Sequence, residues 1–300
     1  MKSVLYDVPA PAKINLFLHV VGQRSDGYHM LQTVFRFVDL YDILDFELRT
    51  DGQIRLVNSE HLGWPEHEDL AIKAGMLLQK ATSSNYGVNI NIRKNIPAGA
   101  GLGGGSSNAA SALIALNRLW DTGLNRDQLT ELARSLGADV PVFVNGDSVF
   151  AQGTGDIFET VHLKPAYYVL VMPDASVNTT VAFKHNDLTR DTKLVKVSDF
   201  TDWQGPGYFG QNNLEAVAFK TQPNVYNTAQ VLKGLGLNAR MTGSGSCFFV
   251  ESKSLDQARL IQQKISVKIK TRESVTSRVI RQTWLTEGLN EHPLKHWTSS

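Results

Sequence analysis

The stretch with the clearest chemistry runs Pro97-Ala98-Gly99-Ala100-Gly101-Leu102-Gly103-Gly104-Gly105-Ser106-Ser107-Asn108. Five glycines fall within the seven positions 99 to 105, and two hydroxyls and an amide follow at once. Beyond them Ala109, Leu113, Leu116 and Trp120 recur at helical spacing, so the glycines run into a helix N-terminus. Such an end offers unpaired backbone N–H groups and the positive pole of the helix dipole. Glycine lets the backbone close on a ligand with no Cβ in the way. Together these features make a phosphate cradle. No lysine occurs in the loop, which removes the Walker A reading. Gly99-x-Gly101-x-x-Gly104 matches the bare dinucleotide fingerprint. That fingerprint needs a second strand ending in an acidic residue, and here the region before Asp121 is still helix. A flexible linker is disfavoured, because linkers do not lead directly into an apolar helix.

Two ionisable residues stand at places where they could serve such a cradle. Lys13 lies at the mouth of a strand in Pro9-Ala10-Pro11-Ala12-Lys13-Ile14-Asn15, with Asn15 on the same face. By type alone it is a solvated strand-end lysine. Asp139 stands in Ala138-Asp139-Val140-Pro141, ahead of an apolar run, where an aspartate is commonly a helix cap or turn residue. A carboxylate within reach of an alcohol can orient it and take its proton. A nearby ammonium stabilises developing negative charge and keeps the carboxylate ionised.

The loop Pro97 to Ala110 resembles the central motif of the GHMP kinases. Its Gly-Gly-Gly-Ser-Ser-Asn-Ala form is most similar to the diphosphocytidyl-methylerythritol kinases among them. Pro-Ala-Lys-Ile-Asn at 11–15, Arg24-x-Asp26-Gly27-Tyr28-His29, Leu-Gly-Ala-Asp-Val-Pro at 136–141 and Thr242-Gly243-Ser244-Gly245-Ser246 extend the likeness over about residues 9 to 283. The resemblance implies that Asp139 is the catalytic carboxylate, with Lys13 beside it and beside the substrate hydroxyl. It implies ATP on residues Pro97 to Ser107, with Ser106 or Ser107 as a hydroxyl ligand to Mg2+ or to the phosphates. It implies substrate contacts from Asn15, Tyr28 and His29, the last two approaching a cytidine base, and from Phe183, for which core packing is the alternative. The turn at 242–246 would close over the phosphate region and brace the loop. Metal ligands are not assigned. Where relatives carry an asparagine on the adenine side this chain has Asp69, which lacks the amide donor, so that contact is not transferred.

The positioning elements follow from periodicity. Strands are expected at 14–21, 33–40, 42–49, 53–58, 88–92 and 167–173, with an edge strand at 275–282. Helices are expected at 68–81, after the glycine loop, from Asn125 to Leu136 behind an Asn125/Gln128 capping box, from Asn212, at 223–235 and at 255–265. Residues 153–156 read as a turn between strands. Residues 184–211 are polar and unassigned, and the tail from Thr286 carries no motif and reads as partly disordered. Strands cluster early, which argues against a doubly wound sheet. The resemblance implies an α+β, two-domain GHMP kinase fold. Residues 1–162 form a ribosomal-protein-S5-domain-2-like N-terminal domain, residues 163–300 a ferredoxin-like C-terminal domain, and the site lies in the cleft.

Composition bounds the partners. The 300 residues carry 30 basic and 29 acidic side chains with no basic cluster, which argues against nucleic-acid or membrane surfaces. The single cysteine, Cys247, excludes an internal disulfide and reads as a buried strand residue. With no apolar segment near the N-terminus the expected location is the cytoplasm. The function implied is transfer of the ATP γ-phosphoryl to the 2-hydroxyl of 4-diphosphocytidyl-2-C-methyl-D-erythritol, in the non-mevalonate isoprenoid route, with no obligate protein partner. A GHMP kinase for homoserine or mevalonate and a non-catalytic nucleotide-binding relative are the other readings. Arg24 to His29 argues against the first, and Lys13 with Asp139 against the second.

Overall fold

The structure, a computed structural model, describes residues 3–58, 63–270 and 279–298. In chain order the strands are β1 (Val4–Gln23), β2 (His29–Arg49), β3 (Ile54–Leu56), β4 (Gly87–Arg93), β5 (Val149–Gln152), β6 (Ile157–Thr160), β7 (Tyr167–Pro173), β8 (Arg240–Met241), β9 (Phe248–Ser252) and β10 (Ile280–Leu289). The helices are α1 (Leu70–Thr82), α2 (Gly104–Leu119), α3 (Arg126–Arg134), α4 (Val140–Asn145), α5 (Thr179–Lys184), α6 (Val197–Thr201), α7 (Asn213–Thr221), α8 (Pro223–Gly234) and α9 (Leu255–Lys270). The fold is α+β.

Strand β2 is the spine. The two strands expected at 33–40 and 42–49 are one, because no Gly or Pro interrupts them and partners change along their length. One edge pairs with β1 from Val4↔Glu47 to Gln23↔His29. The other pairs in turn with β5 at 33–35, β10 at 37–38 and β4 at 43–49. The β1/β2 ladder shifts register at four places, one at Pro11/Ala12 and one between Asn15 and Leu18. Proline cannot donate to a ladder, and bulges bend the ribbon and re-aim side chains. Lys13 and Asn15 lie between these two shifts.

Helices α1 to α4 cover one face of this sheet over a core that includes Phe37, Phe46, Ile90, Leu113 and Phe143. A second core lies under α7, α8 and α9 against β7 and β9. Between them runs a seam containing Ala12, Ile14, Val38, Ala100, Leu102, Leu170 and Phe249. Two loop residues, Ala100 and Leu102, are thereby anchored with 1% exposure each. Every residue from Ser107 to Asn117 of α2 is buried. The Ala, Ser and Asn side chains along it let the neighbouring elements approach on all sides.

Several expectations change in detail. The capping box at Asn125 and Gln128 is present and opens α3. Residues 179–184 are a short helix capped by Asn178. The strand expected at an edge is interior, since β10 runs between β7 and β2. Residues 275–278 of that expectation lie outside the described residues. The tail is ordered where described. Thr286 to Leu289 belong to β10, Leu294 enters the first core, and the Arg118 guanidinium lies 4.8 Å from the Trp297 ring centroid. Cys247 is buried, and burial pushes its thiol up to about 12. Among the described residues no helix is long and apolar enough to cross a membrane.

Candidate active site

A cavity of about 570 Å³ opens between the two halves, lined by all of residues 97–106 together with Lys13, Asn15, Asp69, Asp139, Phe183 and 243–245. Its floor is the glycine loop. Gly99, Gly101 and Gly103 have φ of +68°, +75° and +73°, whereas Ala100 and Leu102 do not have positive φ. Alternation of φ sign turns successive backbone N–H groups to one concave side, an anion-binding nest. Gly103 then caps α2 and brings its free N–H groups to the same place. Ser106 lines the cavity. Ser107 does not: it is fully buried, and its hydroxyl has no partner among the described residues.

Lys13 is held at the edge of this nest from both ends. Its backbone N–H donates to Leu102 O at 2.9 Å, docking β1 on the loop. Its ammonium donates to Asn15 Oδ1 at 2.7 Å, lies 3.2 Å from Asp139 Oδ2 and sits 5.2 Å from the Phe35 ring centroid. Asn15 passes the chain on, with Nδ2 donating to Thr33 Oγ1 at 2.8 Å. The Lys13 side chain is 4% exposed and that of Asp139 35%. The pair is therefore open to the cavity on the carboxylate side.

Asp139 occupies the N-cap position of α4, yet its side chain makes no capping hydrogen bond. Pro141 in the first turn removes one N–H that a cap would serve. The carboxylate faces Lys13 instead.

The turn at 242–246 braces the loop from the far side. Asn15 N donates to Thr242 Oγ1 at 2.8 Å, and Cys247 N to Ala100 O at 3.1 Å. A Cβ on Gly101 would meet Thr242 O at 2.4 Å, and one on Gly243 would meet Gly101 O at 2.9 Å. Asn212, which caps α7, donates from Nδ2 to Met241 O and Gly243 O at 2.8 and 2.9 Å.

The residues expected at the base are only partly gathered. Phe183 lines the cavity and meets the His29 ring, with centroids 5.1 Å apart. Burial and the Arg190 charge lower the His29 pKa. Tyr28 is 65% exposed at the tip of the β1/β2 turn and is not among the lining residues. Asp69 is buried, caps α1 through Ala71 N at 2.8 Å and accepts from Trp64 Nε1 at 2.9 Å.

Sequence reasoning missed Thr33, Phe35, Lys94 and Arg190. Lys94 lines the cavity and pairs with the buried Asp42, which also accepts from Asn95 N and Ile96 N at 2.8 and 2.9 Å. Each is an ordinary residue of a strand or loop, and only the pairing of distant segments brings it to the site.

Comparison with known proteins agrees with this architecture. The family model for the GHMP kinases N terminal domain matches residues 69–147, and that for the GHMP kinases C terminal matches residues 193–269. The chain is 50% identical over 299 residues to a 4-diphosphocytidyl-2-C-methyl-D-erythritol kinase of Bordetella pertussis, covering 99% of each. A kinase of the same name from Dechloromonas aromatica is 45% identical, covering 95% of this chain and 98% of its own. A solved 4-(cytidine 5'-diphospho)-2C-methyl-D-erythritol kinase superposes with a TM-score of 0.75 at 31% identity, covering 93% of this chain and 98% of its own. A homoserine kinase from Cytophaga hutchinsonii shares the fold, with a TM-score of 0.68 at 16% identity, covering 97% of this chain and 96% of its own. The chain belongs to the GHMP kinases, and within them to the family of 4-diphosphocytidyl-2-C-methyl-D-erythritol kinases.

Proposed function

We propose that this protein transfers the γ-phosphoryl group of ATP to the 2-hydroxyl of 4-diphosphocytidyl-2-C-methyl-D-erythritol, a step toward isoprenoid precursors. The observation that carries the reading is the Lys13–Asp139 pair, 3.2 Å apart at the foot of the glycine nest. It supports a division of labour in which the nest and the α2 N-terminus hold phosphate while the pair meets the alcohol.

In the forward step Asp139 accepts the hydroxyl proton as the substrate oxygen bonds to the γ-phosphorus. The bond from that phosphorus to the β–γ bridging oxygen breaks, and ADP leaves. Lys13 lies where its ammonium can offset charge on the attacking oxygen and the moving phosphoryl. Asn15, itself fixed by its bond to Thr33, holds the ammonium in place, so little reorganisation is needed as charge develops.

Among the described residues no group of three or more His, Cys, Asp or Glu could hold a metal ion. The Asp139 carboxylate and Ser106 hydroxyl at the cavity are hard oxygen donors. They fit a Mg2+ that arrives with the nucleotide and takes most of its shell from phosphate and water. Bound there, the ion would supply neutralisation of phosphate charge. Phe183 and His29 are assigned to the cytidine.

The test is ADP release from ATP and magnesium with the cytidylylated methylerythritol as acceptor, and mevalonate, homoserine and galactose as controls. Turnover with the cytidylyl substrate alone is expected. Turnover with a control alcohol and none with the cytidylyl substrate would overturn the reading.

A further inference from the structure

Arg190 stands outside helix and strand, beside Phe183, which lines the cavity, and His29, whose ring packs on Phe183 from outside the lining. Its guanidinium is almost fully committed. Nε donates to His29 Nε2 at 3.1 Å, and Nη1 to Leu188 O at 3.0 Å. Nη2 donates to Phe183 O at 3.0 Å and to His185 O at 2.9 Å. Four of the five N–H groups of an arginine thus have acceptors.

Two consequences follow from the direction of these bonds. Arginine has no acceptor, so His29 Nε2 must be the unprotonated nitrogen. The neutral ring then carries its hydrogen on Nδ1, which has no hydrogen-bond partner among the described residues. Protonating the ring would set one N–H against another, in the same sense as the lowered pKa at this residue. The second consequence concerns α5. Its last carbonyls lack intrahelical partners, as at any helix end. Arg190 takes up Phe183 O and His185 O there and so fixes the helix end that carries the Phe183 ring. Thr192 N donates to Val20 O at 3.1 Å, which ties this segment back to β1. The two rings it sets meet at 5.1 Å and 37°.

We propose that Arg190 is a positioning residue for nucleobase recognition, locking His29 as an Nδ1–H donor and Phe183 as an aromatic face. The wall so formed takes a base with a hydrogen-bond acceptor on its edge. This rests on the reading that the acceptor substrate carries a cytidine, and it adds the residue that organises that subsite. Lysine cannot replace the arginine, since one ammonium cannot span acceptors on three sides of a planar fork.

The test combines a spectroscopic and a kinetic readout on the full chain. Nitrogen-15 NMR of the histidine side chains, with His29 assigned through His29→Gln, should show protonated Nδ1 and bare Nε2 at neutral pH. In Arg190→Met the His29 signals should shift toward protonated Nε2. Kinetically, Arg190→Met should raise KM for the cytidylyl substrate at least about 10-fold, the loss of a charged hydrogen bond. Its kcat and its KM for ATP should stay within about 3-fold, since neither the nest nor Lys13 is touched. Arg190→Lys serves if the methionine variant does not fold, and the same split is expected from it. An unchanged tautomer, or kcat falling while both KM values rise together, would overturn the proposal. If the wild type fails to use the cytidylyl substrate at all, the functional reading is what fails, and the tautomer of His29 still decides the role of Arg190.

Discussion

A Cβ on Gly103 would lie 3.1 Å from both Cγ and Cε of Lys13, and 3.0 Å from Cζ of Phe143. The last left-handed glycine of the loop is packed directly against the lysine stem. Gly103→Ala should therefore act on Lys13 more than on nucleotide. The residue must also hold φ of +73°, which an alanine adopts with strain. A displacement of the ammonium by about 1 Å can cost on the order of 100-fold in rate. Steady-state kinetics should show kcat reduced by about that factor, with ATP affinity within a few-fold. A variant with normal kcat and lost ATP binding would mean that the nucleotide, not Lys13, fills the space.

Gly101 makes the opposite prediction. Its missing Cβ faces Thr242 O at 2.4 Å, so the neighbour is backbone of the bracing turn and cannot rotate away. Gly101→Ala should push loop and turn apart, weakening ATP binding and lowering the melting temperature together. Overpacking of this kind typically costs about 1–3 kcal/mol. Calorimetry of ATP binding alongside thermal unfolding distinguishes this from the Gly103 variant.

Asp139 caps no helix with its side chain, so its removal should reach the structure only through the ion pair with the buried Lys13. Asp139→Asn keeps the shape and removes the base. We expect turnover to drop by about 10²–10⁴-fold, the usual worth of a positioned general base. ATP affinity should change by no more than a few-fold, and the melting temperature should fall modestly, because Lys13 keeps its bond to Asn15 but loses its counter-charge. A fully active variant would remove Asp139 from the mechanism.

His292 gives a pH prediction for stability. Its ring is buried edge-on to Phe37 and Phe143, its Nδ1 accepts from Leu294 N, and its Nε2 has no partner among the described residues. Burial lowers its pKa from 6.5 to about 3. The folded state thus keeps the ring neutral while the unfolded chain takes up a proton below pH 6.5. Unfolding then binds protons, and stability falls as pH drops from 6.5 toward 3, by at most roughly 1.4 kcal/mol per pH unit. Above 6.5 this contribution is complete and flat. Urea unfolding of wild type and His292→Gln across pH 4–8 should show a shallower acid slope in the variant. Equal slopes would place the titration elsewhere.

Much of the site was legible because its parts are local. The glycine loop, the Pro-Ala-Lys-Ile-Asn segment, the Leu-Gly-Ala-Asp-Val-Pro segment and the small-residue turn each announce themselves within a few residues. The phosphate-holding role proposed for the glycine loop follows from backbone geometry that glycine permits. Arg190, Thr33, Phe35 and Lys94 were not legible. Arg190 reaches His29 across 161 positions, and Asn15 reaches Thr242 across 227. Tyr28 marks the reverse case, a conspicuous residue in a suggestive motif that stands exposed at a turn tip.

The sequence by itself determined the family resemblance and the reaction class it implies, the glycine loop and most element types, because short motifs and short-range spacing carry these. Only the tertiary structure decided that β10 runs inside the sheet, that the tail packs on the first core and that Asp139 turns from its helix to Lys13. It likewise decided that Gly103 packs on Lys13 and that Arg190 donates to His29. Those relationships depend on which distant surfaces exclude water together and which donors find acceptors there. Neither is written in the order of residues along any one segment.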